Sequence, residues 1–280
     1  MIKLENVVLA SPEQMEFIIQ GLRNPLNSWE KSDSGYGCDS GLCSGHCAFS
    51  PEWCGNTQRY VLGDNDHMLM QRLSKAGTDH RKFMRMMPVY VRITAPLYWW
   101  EEFDAYKVGT VAISCSMMHK IQDKAFTLDN FSCDRLTNRT MKILKEDIHE
   151  LNFWRDAFNC KSDKERNLYF ANSDWCGTYI PTKKGCLYQM IQLLPSSYNQ
   201  TSNVMMNYEV LANIYRQWKG HKPDEWREVC KWIETLPYSE LITGLSIGSD
   251  QSIEEKCFSQ PFPWIKEEDI KKQILEEDSK

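Results

Sequence analysis

The chain has 280 residues; 42% are hydrophobic and 25% charged, and 33 Lys and Arg stand against 38 Asp and Glu, a formal net charge of −5. That composition fits a globular chain long enough to bury a core, as one large domain or two small ones, and excludes a disordered one. The acidic balance argues against a strongly basic nucleic-acid binder, and no run approaches the ~18 apolar residues of a membrane helix.

The opening Ile2 to Ala10 is apolar enough for a strand. Ser11-Pro12-Glu13-Gln14 then carries a helix start: Ser11 can cap, Pro12 suits the first helical position and Gln14 can close a capping box. That helix should stop before Asn24-Pro25, because proline disfavours helical backbone in the residue ahead of it. Residues 32–58, rich in Ser, Gly and Cys, predict a loop. Asp64 or Asn65 can cap a helix running to Ala76, with Gly77 as its terminator. Val89, Val91 and Ile93 alternate with Tyr90, Arg92 and Thr94, the pattern of a half-buried strand. Pro96 ends it, and Leu97 to Tyr106 predicts a helix. Ile143, Leu144, Ile148, Leu151 and Phe158 mark a longer helix, 161–186 reads as irregular, and Leu187 to Leu194 predicts a short helix stopped by Pro195. Val204, Tyr208, Leu211, Ile214, Tyr215 and Trp218 follow helical spacing, and so do Trp226, Val229, Cys230, Ile233 and Leu236 after Pro223-Asp224. The expected organisation is one α+β domain over 1–250 and a charged tail over 251–280, broken by Pro261 and Pro263 before a last helix at 264–277.

The start Met1-Ile2-Lys3-Leu4-Glu5-Asn6 lacks the basic-then-apolar pattern of a signal peptide, and the eleven cysteines are odd in number. Both point to a reducing, cytoplasmic setting without a disulfide framework. Cys38, Cys43, Cys47 and Cys54 crowd one Gly-rich stretch with His46 among them. Four soft ligands in tetrahedral reach could hold a structural zinc; the plainer alternative is a loop with free thiols.

Three further groups could carry chemistry. His80 stands between Asp79 and the cations Arg81 and Lys82, placed for an anion or cofactor, or simply for a helix end. The aromatic run Tyr98-Trp99-Trp100-Glu101-Glu102-Phe103-Asp104-Ala105-Tyr106-Lys107 could stack on a flat ligand or pack a core, and Ser114-Cys115-Ser116 follows with two hydroxyls and a thiol. No Gly-rich phosphate loop precedes it. Leu194-Pro195 leads to Asn207 and Asn213, which on one helix would lie about 240° apart. Side-chain amides read the donor–acceptor edge of a pyrimidine well, and they also serve as caps.

Together these groups resemble the flavin-dependent thymidylate synthases, the ThyX family, over roughly residues 65–240. Asp79-His80-Arg81-Lys82-Phe83 stands where the family has Glu-His-x-x-Phe, and the next interval ends on Ala105-Tyr106-Lys107 in place of Arg-His-Arg, followed by Ser114-Cys115-Ser116 as the Ser-rich loop. Leu194-Pro195, Asn207-Tyr208-Glu209, Asn213 and the Trp-bearing Asp224-Glu225-Trp226 complete the pattern, with Trp218 where the family has Arg. The resemblance implies a ThyX-like mixed sheet flanked by helices, a homotetramer, and a diverged, candidate viral branch. It implies FAD and dUMP as ligands, with methylene-tetrahydrofolate and NADPH as co-substrates in a one-carbon transfer to the uracil ring. It places Ser114 and Ser116 at the reacting centre, His80, Lys107, Asn207 and Asn213 on the cofactor, and Arg216, Lys107 and Cys115 on the nucleotide. The lost guanidinium groups leave a second reading open: a catalytically inactive scaffold that binds a nucleotide or another macromolecule.

Overall fold

The first helix forms where the capping signals put it. A computed structural model describes residues 2–38, 58–115, 120–220 and 223–244. In it α1 spans Pro12–Arg23, the Ser11 side chain accepts from the Gln14 amide, and the Gln14 side chain accepts from the Ser11 amide. Strand β1, Lys3–Leu9, precedes it. Within the expected loop over 32–58, Gly35–Cys38 forms a short strand, β2, paired with β3 (Gln58–Val61) at the end of that stretch; residues 39–57 lie outside the described residues.

Helix α2 spans Asp64–Lys75. Its cap comes from neither Asp64 nor Asn65: Gly63 holds the cap position, and the carboxylate of Asp33 accepts from the Asn65 and Asp66 amides at 2.9 and 3.1 Å. Gly77 follows the helix end with φ 109°, a conformation that glycine adopts without strain. Next come β4 (Pro88–Pro96), α3 (Leu97–Phe103) and β5 (Val111–Ser114). Helices α4 (Asn138–Asn159), α5 (Asp163–Ala171) and α6 (Lys183–Leu193) follow, so much of the stretch read as irregular is helical. Strand β6 (Asn199–Asn207) leads directly into α7 (Tyr208–Trp218), α8 (Asp224–Glu234) and the one-turn α9 (Glu240–Thr243).

Four strands form one antiparallel sheet in the order β1-β4-β6-β5. One face is packed: Val89, Val91, Ile93 and Ala95 of β4 and Val204 and Met206 of β6 are buried with α1, α3, α7 and α8. The period-2 alternation turns the other side chains to the opposite face. There Val8, Tyr90, Met205 and Val111 form one cross-strand row, and Glu5, Arg92, Asn203 and Ile113 the next. Ile113 is 74% exposed and Tyr90 46%, so this face is open. Helices α4 to α6 build a second core around Leu151, Trp154, Phe170 and Met190. Residues Met1–Thr243 form one compact unit of mixed helix and sheet.

A buried ion pair ties α1 to α2. Arg23 Nε lies 2.5 Å from Asp66 Oδ1, and Ser32 Oγ and Ser34 Oγ donate to Asp66 Oδ2 at 2.7 and 2.6 Å. Burial pushes the Asp66 carboxyl up, but the Ser34, Ser32 and Arg23 hydrogen bonds outweigh it and hold the group below the usual carboxylate range. A carboxyl depressed in the folded state contributes stability above its unfolded value near 3.8, and that contribution fades as pH falls through the folded value. Asp66→Ala strands Arg23 without its counter-charge and should cost about 3–5 kcal/mol. Urea unfolding of both proteins at neutral pH and near pH 3 checks this; the difference between them should shrink in acid.

Candidate functional site

The β4–β6 register ends on Pro88↔Asn207, and the backbone turns into α7 one residue later. Asn207 is therefore the last residue of a strand and the cap of a helix. The expected pair of asparagines on one helix does not form. Its Oδ1 accepts from the Val210 amide at 3.0 Å, and Asn207 is 9% exposed. Its Nδ2 has no acceptor among the described residues.

Gly109 explains how the space beside that amide is kept. A Cβ on Gly109 would stand 2.9 Å from Asn207 Nδ2 and 3.4 Å from Val210 Cγ2, and the residue has φ 78°. At the other end of the same short segment, Tyr106 Oη accepts from Trp218 Nε1 and donates to Gln217 Oε1, each at 2.6 Å. Residues 106–109 thus run alongside α7 from its last turn back to its first, with exposed Lys107 between the two contacts. At ~100° per residue, Val210, Asn213 and Gln217 share one stripe of α7 within about 60°. Asn213 therefore faces the Lys107 segment, and Arg216 Nη1 reaches Asn213 Oδ1 at 3.5 Å. Burial raises the Tyr106 phenol, so it stays a protonated donor.

The turn that carries His80 is tied to the same helix start. His80 and Arg81 both donate their amides to the Gly77 carbonyl at 3.2 Å. Arg81 Nη2 donates to Glu209 Oε1 at 3.0 Å, and Arg81 Nε lies 2.8 Å from Glu209 Oε2. His80 itself is exposed.

The structure thus places Asn207 at the start of α7, Asn213 and Arg216 about 9 and 14 Å farther along it, and the Lys107 segment beside the same helix. It does not bring Ser114 and Cys115 to them within one chain. Ser114 pairs with Ser202, five residues from Asn207 along β6, or about 17 Å at ~3.4 Å per residue. The Cys115 amide donates to the Thr201 carbonyl, farther still along β6. Ser116, Cys43, Cys47 and Cys54 lie outside the described residues, and Cys38 is described only as backbone of β2. Among the described residues no cluster of His, Cys, Asp and Glu could hold a metal. Sequence reasoning missed Gly109 and Gln217, and it named Tyr106 and Glu209 within motifs without giving either a role of its own. A turn-forming Val-Gly after Lys107 was the available signal for the first.

Trp99, Trp100 and Trp226 belong to the core: Trp226 stacks on Trp218 at 4.4 Å and tilts against Trp99 at 4.8 Å. A cavity of about 370 Å³ lined by Met15, Tyr60, Met87, Tyr208 and Tyr238 contains none of the sequence-predicted site residues.

No family model matches the chain, and no curated protein matches it. Among solved structures it is similar to thymidylate synthase X from Helicobacter pylori with FAD and dUMP, at 13% identity and TM-score 0.49 over 86% of this chain and 95% of that one. A second structure, the flavin-dependent thymidylate synthase ThyX of the same species complexed with FAD and dUMP, gives 13% identity and TM-score 0.48 over 86% and 96%. The UMP/dUMP methylase PolB from Streptomyces cacaoi, bound with 5-Br dUMP, gives 10% identity and TM-score 0.45 over 87% and 95%.

Gly109→Ala forces a left-handed side chain and drives a methyl into the Asn207 amide. A loss of about 1–3 kcal/mol is expected by thermal or urea unfolding. Ala at the neighbouring exposed Val108 should change stability by less than about 0.5 kcal/mol.

Proposed function

We propose that the protein binds a pyrimidine deoxynucleotide and FAD along the α7 stripe and is a flavin-dependent thymidylate synthase-like enzyme, acting on dUMP or a related pyrimidine. The observation that carries this reading is Asn207: a nearly buried amide whose oxygen is committed to the helix cap and whose nitrogen is left for an acceptor. A pyrimidine or flavin carbonyl is such an acceptor. Lys107, on the segment that runs along α7, and Arg216, in its last turn, are exposed cations that suit a phosphate, Lys107 as a point charge and Arg216 as a fork. Asn213 supplies a second amide on the stripe of α7 that carries Val210 and Gln217. His80 stands at the edge of the group through the Arg81–Glu209 pair.

Bound FAD, reduced by NADPH, would supply the hydride for a one-carbon transfer from methylene-tetrahydrofolate to the uracil ring. This chain's residues would bind and orient: Asn207 fixes a ring carbonyl, and Lys107 and Arg216 hold negative charge. The distance of Ser114 and Cys115 from Asn207 makes their participation a matter for a neighbouring subunit, which accords with the proposed homotetramer. The open sheet face with Tyr90, Val111 and Ile113 suits such an interface.

One observation favours the second reading, a nucleotide-binding scaffold without catalysis. Arg81, one of the cations that could replace the missing guanidinium groups, is already neutralised by Glu209.

Asn207→Ser keeps a capping oxygen and removes the free amide. Stability should change by only a few tenths to ~0.5 kcal/mol, since serine caps nearly as well. Titration with FAD and dUMP, followed by flavin absorbance, should show wild-type binding and at least a tenfold loss in the variant, about 1.4 kcal/mol. A colourless wild-type protein that takes up neither ligand contradicts the proposal; binding without turnover of dUMP selects the scaffold reading. Light scattering should report a tetramer, reduced to smaller species by Ile113→Lys; a wild-type monomer contradicts that part.

A further inference from the structure

We propose that Arg81 and Glu209 are a positioning clamp: the pair fixes the His80 turn against the first turn of α7, so Arg81 contributes geometry to the site and no charge to its ligand. The partners are 128 residues apart in sequence and meet through two contacts, Nη2 to Oε1 at 3.0 Å and Nε to Oε2 at 2.8 Å. Arg81 is 9% and Glu209 7% exposed. One hydrogen bond, from Nη2, and a second close ionic contact, from Nε, hold the planar guanidinium at two points at that depth, which a lysine could not do.

Each partner is stiffly joined to a site residue. The Arg81 and His80 amides share the Gly77 carbonyl, so the turn moves as a unit. Glu209 lies two residues past Asn207, inside the turn that the Asn207 side chain closes through the Val210 amide. A carboxylate there is also favoured by the positive end of the helix. Removing either partner leaves a buried charge that must find water, and the shortest way out opens the capped turn. With its guanidinium matched by Glu209, Arg81 offers a nucleotide phosphate no net charge.

This inference rests on the α7 stripe being the ligand site, yet its first test needs no ligand. Arg81→Met, Glu209→Met, the double variant and Arg81→Lys are compared with wild type. Hydrogen exchange of the Val210 amide is measured relative to the central amides of β4, together with the chemical shifts of the His80 ring. Each single Met variant should lose at least tenfold in relative Val210 protection and shift the His80 signals. The double variant, an apolar pair of similar bulk, should recover most of both. A merely structural pair would lower all protection together and leave the ratio and the His80 shifts unchanged, which overturns the clamp.

Binding of dUMP in the presence of FAD then separates clamp from ligand. The clamp requires the double variant to bind within about threefold of wild type and Arg81→Lys to bind worse than the double variant. The reverse order, Arg81→Lys binding and the double variant failing, makes Arg81 an anion ligand and overturns the proposal. If wild type itself binds nothing, the function proposal falls while the exchange result still judges the clamp. If the single Met variants do not fold, Glu209→Gln carries the same exchange readout at smaller amplitude, and an unchanged ratio there counts against the clamp.

Discussion

The pairing of β4 with β6 is the constraint on which the rest of the molecule depends. Nine consecutive pairs, from Pro96↔Asn199 to Pro88↔Asn207, fix a register that a slip of one residue would invert, sending Val204 and Met206 to the open face. The same register decides where the strand stops. Tyr208 donates its amide to the Met87 carbonyl, and the helix begins there. Asn207 falls at the handover and serves as cap. From this follow the direction of α7, the stripe that faces the 106–109 segment, and the position at which Glu209 meets Arg81.

Under the proposed function, the electrostatics of that stripe would separate ring recognition from phosphate recognition. The amide at Asn207 is neutral and nearly buried, where an unmatched donor gains most from an acceptor. The cations Lys107 and Arg216 are exposed, where attraction is weakened by water and salt. Glu101, Glu102 and Asp104 bring opposing charge to the same stretch of chain. A carboxylate roughly 4 Å from a phosphate would cost on the order of 4 kcal/mol at an effective dielectric near 20, so the proposed site would discriminate by the ring more than by the phosphate.

Much of the fold was legible in the residues. Ser11 to Gln14, Gly77 and Pro96 marked boundaries through local chemistry, and the apolar stripes of α7 and α8 carried their period in plain view. Strand β6 was not legible, because Val204 lies four residues before Tyr208 and completes a helical pattern by accident, while the strand's first five residues, Asn199 to Asn203, are all polar. Strands β2 and β3 are four residues each and separated by a long Cys-rich stretch, so neither announces its partner. The cap of α2 comes from Asp33, on the far side of the β2–β3 pair in sequence, and the Arg81–Glu209 pair joins distant positions. Local signals set element ends; contacts that close long loops leave no mark in a single sequence. For the candidate site, residue types pointed to Asn207 and Lys107, and only the fold showed that the Lys107 segment runs beside the helix that Asn207 caps while Ser114 pairs with Ser202, five residues back along β6.

The most direct measurement is the side-chain amide signal of Asn207 in a nitrogen–proton correlation spectrum, assigned by its absence in an Asn207 variant and followed as dUMP is added with oxidised FAD present. The account expects the two Asn207 Nδ2 proton signals to move downfield and saturate, while those of Asn199 and Asn203 stay in place. Signals of Asn207 that remain fixed at saturating ligand would contradict it.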